Sequence, residues 1–175
     1  ADDVIKAIPK ADGEAFSLRL LRIRALRQSL RLAEALEEVE ELKPKEKGED
    51  QEQAVRRLHG KILTDLGRGA EAVGLFRRPG TPASELGIAL SRAGRAKEAL
   101  QVLRQAQYRE GRDPELSLAI ASAYVQVGRP DQALGVLNKA RKRWPGHGGI
   151  LDRIDSYIFT PSVLYYIFVI LKYVN

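Results

Sequence analysis

Few residues in this chain could do chemistry, and their spacing argues against catalysis. The chain has 175 residues, no cysteine and two histidines, His59 and His147. Without a thiol there is no cysteine nucleophile, no redox pair and no cysteine-based zinc site. The two histidines lie far apart in the chain, and neither stands in a metal-binding or nucleophile motif. We therefore predict that the protein is not an enzyme and has no catalytic residue, no cofactor and no metal site.

Positive charge is the strongest chemical signal that remains. The chain carries 29 Lys and Arg against 23 Asp and Glu, a net charge of +6. Residues 139–144 place four cations beside Trp144, a composition that could bind a phosphate backbone or an anionic lipid. However, Ala140 falls on the buried face of a predicted helix, and cations are favoured in the last turn of any helix. We therefore rank nucleic acid below protein as a partner, with an anionic membrane between them.

The N-terminal elements are helical and polar. Residues 1–13 are interpreted as an arm, and residues 14–42 lack Gly and Pro and place apolar residues at helical steps of three and four. Two alternatives remain open: one long helix, or a hairpin that bends near Ser29. An arginine block precedes a glutamate block, so antiparallel pairing of two copies would match opposite charges, which makes a homodimer one hypothesis. The favoured interpretation is a solvated polar face on a helix that packs onto the next domain. Residues 43–52 are interpreted as a charged linker.

An internal repeat organises the middle of the chain. Residues 80–113 align without a gap over residues 114–147, which gives a period of 34. Each unit contains two amphipathic helices around a Gly, predicted over 84–93, 96–108, 116–127 and 130–143. A shortened third copy precedes them at residues 53–79. The identical or similar pairs are Leu86 with Ile120, Leu90 with Tyr124, Gly94 with Gly128, Arg95 with Arg129, Ala99 with Ala133, Leu103 with Leu137, and Ala106 with Ala140.

This pattern resembles the tetratricopeptide repeat, a 34-residue helix-turn-helix unit. The resemblance covers residues 53–147 and implies an α-solenoid. The family's preferred residues have counterparts in the last unit at Ala121, Tyr124, Gly128, Ala133, Leu137, Ala140 and Pro145. The Trp that the family prefers early in each unit is absent, so the set is divergent.

The resemblance also implies a function, because the first helices of such units line a concave groove that holds a partner segment. The partner would be a peptide or helix with apolar and some acidic residues. Alternatively, flanking segments of the chain itself cover the apolar groove positions. The residues that the resemblance assigns to the groove are Arg57, Lys61, Ser84, Ile88, Arg92, Leu118, Ser122 and Val125.

The C-terminal segment differs in composition from the rest of the chain. Residues 156–171 contain no charge, and six of the eleven aromatic residues lie in residues 156–175. A membrane anchor or interfacial segment is the leading interpretation. The alternatives are a cap for the end of the solenoid or a segment of foreign origin. The residues assigned to this membrane or capping role are Tyr157, Phe159, Leu164, Tyr165, Phe168 and Leu171.

The sequence thus predicts an all-α protein. Its expected parts are an arm, an N-terminal helix or hairpin, a linker, and three repeats at 53–79, 80–113 and 114–147. A capping helix and hydrophobic tail follow at 148–175. We expect a non-enzymatic scaffold, membrane-associated through its tail, that binds a protein partner in its groove. The alternatives are a secretion-type chaperone that shields an apolar client segment and, more weakly, a basic nucleic-acid or anionic-lipid binder.

Overall fold

A computed structural model of the chain describes residue 5 and residues 16–42, 49–109 and 114–143, and all regular structure within them is helical. The helices follow one another along the chain and pack against their sequence neighbours. Such an arrangement is an all-helical solenoid, as the repeat predicted. The eight helices of the described residues are α1 (Phe16–Gln28), α2 (Leu32–Glu41), α3 (Glu49–Asp65), α4 (Gly69–Phe76), α5 (Ala83–Arg92), α6 (Ala96–Arg109), α7 (Pro114–Gln126) and α8 (Pro130–Arg143).

Three helix pairs share one turn, which glycine makes possible. The turns at Gly67, Gly94 and Gly128 have φ of 77°, 75° and 75°, a left-handed conformation that costs glycine nothing. In each turn the N–H after the glycine donates to the carbonyl five residues earlier. The pairs are Arg68 to Leu63 at 2.8 Å, Arg95 to Leu90 at 2.9 Å, and Arg129 to Tyr124 at 2.9 Å.

Within a repeat, the two helices approach closely where a glycine of the first helix faces a large side chain of the second helix. A Cβ added at Gly60 would lie 2.5 Å from the Phe76 ring, and one added at Gly87 would lie 2.5 Å from Leu103. Both large side chains are buried, and an interior packed this densely has no room for an extra methyl group. The small positions therefore set the distance between paired helices.

The shortened first repeat ends in a Pro and Gly turn. Helix α4 has eight residues and ends at Phe76, and Gly80 then adopts φ 81°. Pro79 cannot donate a backbone hydrogen bond, so it disfavours continuing the helix. The chain reaches α5 after this brief turn.

The N-terminal segment is a hairpin of two helices, the second of the two alternatives that the sequence left open. Its turn has the repeat geometry, with Leu30 in the place of glycine at φ 58°. The N–H of Arg31 donates to the Leu26 carbonyl at 3.0 Å, which matches the bond in the three glycine turns. Ala35 and Val39 follow the turn at the same intervals as Ala72 and Phe76 follow Gly67, and all four are buried. The hairpin is therefore a fourth unit with repeat-like geometry.

Opposite charges meet inside this hairpin. Arg22 of α1 donates from Nε to Glu38 of α2 at 2.9 Å and from an Nη to the Ile5 carbonyl at 2.7 Å. Both charged side chains are largely buried, where a charge needs a partner. The match between the arginine and glutamate blocks, which motivated the homodimer prediction, is thus made within one chain at this pair.

Several predicted segments lie outside the described residues. These are the N-terminal arm apart from Ile5, residues 43–48 of the linker, and the whole of 148–175 with its six assigned residues. Within the described residues, no helix has the length and apolar character needed to cross a bilayer. The membrane or capping role of the tail remains a prediction.

Candidate functional site

A cavity of about 760 Å³ lies along the first helices of the four units. Helix α5 contacts both α3 and α7, and α1 contacts α3, so these helices form one wall. The cavity is lined by Arg27, Gln28, Leu30, Leu32, Lys61, Thr64, Asp65, Phe76, Ser84, Glu85, Ile88, Arg92, Pro114, Glu115, Leu116 and Leu118.

Five of the eight groove residues assigned from the sequence line this cavity. They are Lys61, Ser84, Ile88, Arg92 and Leu118. Arg57 lies one turn before Lys61 and reaches the cavity wall through its ion pair with Glu85. Ser122 and Val125 lie further along α7 and do not line the cavity; Val125 packs against the hydrophobic core.

The cations at the N-terminal end of the cavity are neutralised by one carboxylate. Glu85 accepts from Arg57 at 2.6 Å and lies 3.0 Å from the Lys61 ammonium. Burial acts to raise the pKa of Glu85, but hydrogen bonds from Arg57 and Lys61 outweigh it and hold the pKa below its ordinary value. Acidic residues of a partner, which the sequence analysis expected in the groove, would therefore meet two cations that are already paired within the chain.

A second ion pair connects the hairpin to the array at the cavity edge. Arg27 of α1 donates from Nε to Asp65 of α3 at 2.6 Å, and both side chains are about a quarter exposed. An ion pair at this depth contributes little free energy on its own. It joins α1 to α3 where both helices line the cavity.

The apolar part of the cavity differs in exposure from residue to residue. Leu118 is 5% exposed and belongs to the core, whereas Ile88 is half-buried. Leu30 is 76% exposed although it is a large apolar residue. Leu30 was not predicted as a groove residue. The sequence could have indicated it only indirectly, because Leu30 occupies the turn position that glycine holds in the other three units.

The C-terminal end of the first-helix row is held by a hydrogen bond. Gln126 of α7 donates to the Ser91 hydroxyl of α5 at 3.0 Å and to Ser122 at 3.4 Å. Ser91 is buried, so its hydroxyl needs such a partner.

In the described residues, no group of three His, Asp or Glu side chains is placed to hold a metal ion.

Comparisons with known proteins agree with this geometry. Residues 90–147 match the family model of the tetratricopeptide repeat. The solved structure MamA AMB-1 superposes with a TM-score of 0.57 at 22% identity, covering 79% of this chain and 84% of that chain. MamA MSR-1 superposes with a TM-score of 0.55 at 22% identity, covering 79% and 82%. At this identity the likeness shows the fold alone. It covers 79% of the chain, which is more than residues 53–147 make up, so it extends beyond the three repeats predicted from the sequence.

The C-terminal segment matches a different family. Residues 142–171 match the model of the cytidylyltransferase family. A phosphatidate cytidylyltransferase from Synechocystis sp. is 67% identical over 27 residues, which are 15% of this chain and 9% of that enzyme. The chain therefore spans about a tenth of the length of this curated relative.

Proposed function

Because this chain carries tetratricopeptide repeats and has the architecture of a protein-binding scaffold, we propose that it holds a partner segment in the cavity along α1, α3, α5 and α7. One observation supports the proposal most: five of the eight residues assigned to the groove line a single cavity. The first helices of all four units contribute to that cavity, which matches the way repeat scaffolds build extended binding surfaces.

The chemistry of the cavity favours a partner with apolar anchors. Ile88 and Leu30 offer apolar surface that the described residues leave partly or mostly exposed. Acidic partner residues would have to compete with Glu85 for Arg57 and Lys61. We therefore propose that apolar contacts provide most of the affinity and that acidic partner residues contribute less at this surface.

Selection from a phage-displayed peptide library against the full chain tests the groove. Selected peptides should lose most of their binding to Ile88→Asp, because a carboxylate would be desolvated beside the apolar partner. Tyr108→Asp is the matched control, since Tyr108 is 93% exposed and does not line the cavity. Leu118→Asp is a poor probe because Leu118 is buried. Peptides that bind Ile88→Asp as well as the unmodified chain would contradict the groove assignment.

We also propose that residues 156–171 associate the protein with a membrane. This stretch carries no charge, and it lies within the segment that resembles a cytidylyltransferase whose name gives a lipid, phosphatidate, as its substrate. The match covers 9% of that enzyme, so we propose an anchoring role for the segment and no catalysis.

Vesicle flotation of the full chain tests the anchoring role. The chain should float with phosphatidylglycerol vesicles, and the double variant Phe168→Asp, Leu171→Asp should remain at the bottom because two charges in the acyl region are costly. If the unmodified chain does not float, the soluble alternatives gain support: a chaperone for apolar client segments, or an array capped by its own tail.

A further inference from the structure

The two junctions between the three glycine-turn repeats differ at the start of their second helix, where Lys97-Glu98 of the first is replaced by Asp131-Gln132 of the second. At the first junction, Glu98 bridges two arginines: it lies 3.1 Å from Arg77 and forms an ion pair with Arg95 at the turn. Arg77 follows the buried Phe76 of α4, and Arg95 follows the glycine turn before α6. One carboxylate thus neutralises two cations on the surface formed by the second helices.

The second junction keeps both arginines and has glutamine in place of the bridging acid. Arg104 follows the buried Leu103 as Arg77 follows Phe76, and Arg129 lies one 34-residue period after Arg95. The residue one period after Glu98 is Gln132. In the described residues no carboxylate pairs with Arg104 or Arg129.

A cavity of about 580 Å³ lies at this second junction, and the described residues that line it include no acidic side chain. Arg104 is positioned by Tyr124, to whose hydroxyl it donates and over whose ring its guanidinium lies at 5.5 Å. An arginine has several N–H donors in a planar fork, so this contact leaves others for a carboxylate. The lining residues are Lys97, Leu100, Gln101, Arg104, Gln105, Val127 and Arg129.

We propose that this cavity binds an acidic segment of a partner protein, whose carboxylate takes the place between Arg104 and Arg129 that Glu98 takes at the first junction. The other lining groups suit a peptide: glutamine amides can both donate to and accept from its backbone, and Leu100 and Val127 are half-buried apolar neighbours. A recess with mixed apolar and amide walls fits a peptide better than a flat bilayer surface. No described residue lines both this cavity and the groove, so the two sites are separate.

The groove and the second junction differ in whether their cations already have a carboxylate partner. The cations at the N-terminal end of the groove have Glu85 and Asp65 as partners, whereas Arg104 and Arg129 of the second junction have no carboxylate partner among the described residues. Charge complementarity therefore directs acidic partners to the second junction, while the groove selects mainly for apolar side chains.

Fluorescence anisotropy with the full chain and a fluorescein-labelled Glu-Leu-Glu-Glu peptide tests the site. Gln132→Glu supplies the missing acid internally and should weaken binding about fivefold. Arg129→Gln should weaken it by a similar factor. Arg68→Gln is the matched control, because Arg68 holds the same turn position but is paired with Glu71 at 2.6 Å. It should leave peptide affinity unchanged.

A reciprocal variant makes the test stricter. Glu98→Gln removes the bridging acid at the first junction and should create a second peptide site, which titration would detect as a stoichiometry of two. The Nε–H resonances of Arg104 and Arg129 should shift when the peptide binds to the unmodified chain. Ile88→Asp should leave this binding intact, which separates failure of the groove from failure of this site.

Three results would overturn the proposal. Equal peptide affinity for Gln132→Glu and the unmodified chain would overturn the proposal, as would a Glu98→Gln chain that still binds one peptide. Binding to phosphatidylglycerol vesicles without binding to the peptide would assign the cavity to a membrane surface and would also overturn it.

Discussion

The N-terminal hairpin and the three repeats use the same turn with different residues. Gly67, Gly94 and Gly128 adopt φ near 75°, and Leu30 adopts φ 58° with the same backbone hydrogen bond across the turn. A left-handed residue other than glycine costs about 1–2 kcal/mol. The hairpin keeps the turn despite this cost, so the buried layer on either side of it must favour the geometry.

The buried layer itself is built differently in the two regions. The hairpin places Ile23 and Val39 where the first glycine-turn repeat places Gly60 and Phe76. Two medium side chains thus replace a small and a large one, and all but Gly60 are at most 3% exposed. The helix pair tolerates either combination because total volume matters more than identity at each position.

Truncation of the hairpin core should have the largest effect. We expect Ile23→Ala to lower the free energy of unfolding by about 3 kcal/mol, because Ile23 is fully buried and its loss leaves a cavity. Urea denaturation followed by circular dichroism measures this. A loss below about 1 kcal/mol would show that the hairpin packs loosely and does not act as a fourth unit.

Enlarging the small position of a repeat should have the next largest effect. Gly87→Ala places a methyl group 2.5 Å from Leu103 and should destabilise the chain by about 2 kcal/mol. Gly74→Ala is the matched control: Gly74 is helical and has no atom within 4 Å of an added Cβ. That change should instead stabilise by about 0.5–1 kcal/mol. Equal effects at the two glycines would contradict the packing argument.

Relaxing the strained turn should have a smaller effect of opposite sign. We expect Leu30→Gly to stabilise the chain by about 0.5–1 kcal/mol, because glycine adopts the left-handed conformation without strain. Part of the gain is lost because glycine also has more conformational entropy in the unfolded chain. If Leu30 contacts a partner in the groove, the same variant should bind selected peptides more weakly. A lower melting temperature for Leu30→Gly would mean that the exposed leucine stabilises the isolated chain.

The smallest expected effect is a pH dependence at the seam between the hairpin and the array. His59 of α3 lies 3.7 Å from Glu40 of α2. Burial lowers the pKa of His59 below its ordinary value of 6.5, and this outweighs the attraction of Glu40. The unfolded chain therefore binds the proton more readily, so stability should fall as pH drops below about 6.5.

Thermal melts between pH 7.5 and pH 5.5 would detect this dependence. His59→Gln, which cannot titrate, should flatten the change over that interval. A dependence that persists unchanged in His59→Gln would assign it to another group.

The sequence predicted the array well and the hairpin only in outline. Gly94 and Gly128 mark their turns because few residues adopt positive φ, and the 34-residue period aligns the buried positions. Leu30 carries no such mark. The bend at residues 29–31 could therefore be proposed from the sequence, but its repeat geometry could not be predicted.

The candidate sites divide in the same way. The resemblance to the tetratricopeptide repeat predicted Lys61, Ser84, Ile88, Arg92 and Leu118 as groove residues, and these share a cavity. The register could not predict that Glu85 neutralises Arg57 and Lys61, because that pairing joins helices from successive units. Nor could it predict that Leu118 is buried, because α7 contacts α5, α6 and α8 and burial depends on how these helices pack.

The sequence by itself determined the helical periodicity, the glycine turns, and the small and large positions of each repeat. It also determined that Gln132 stands one repeat period after Glu98. These are local or periodic properties, and each residue type expresses them through its own volume, charge and backbone freedom. The tertiary structure alone decided which cations have partners, because ion pairs depend on distances between helices. It likewise brought Arg104 and Arg129 to one cavity, where no carboxylate of the described residues pairs with either.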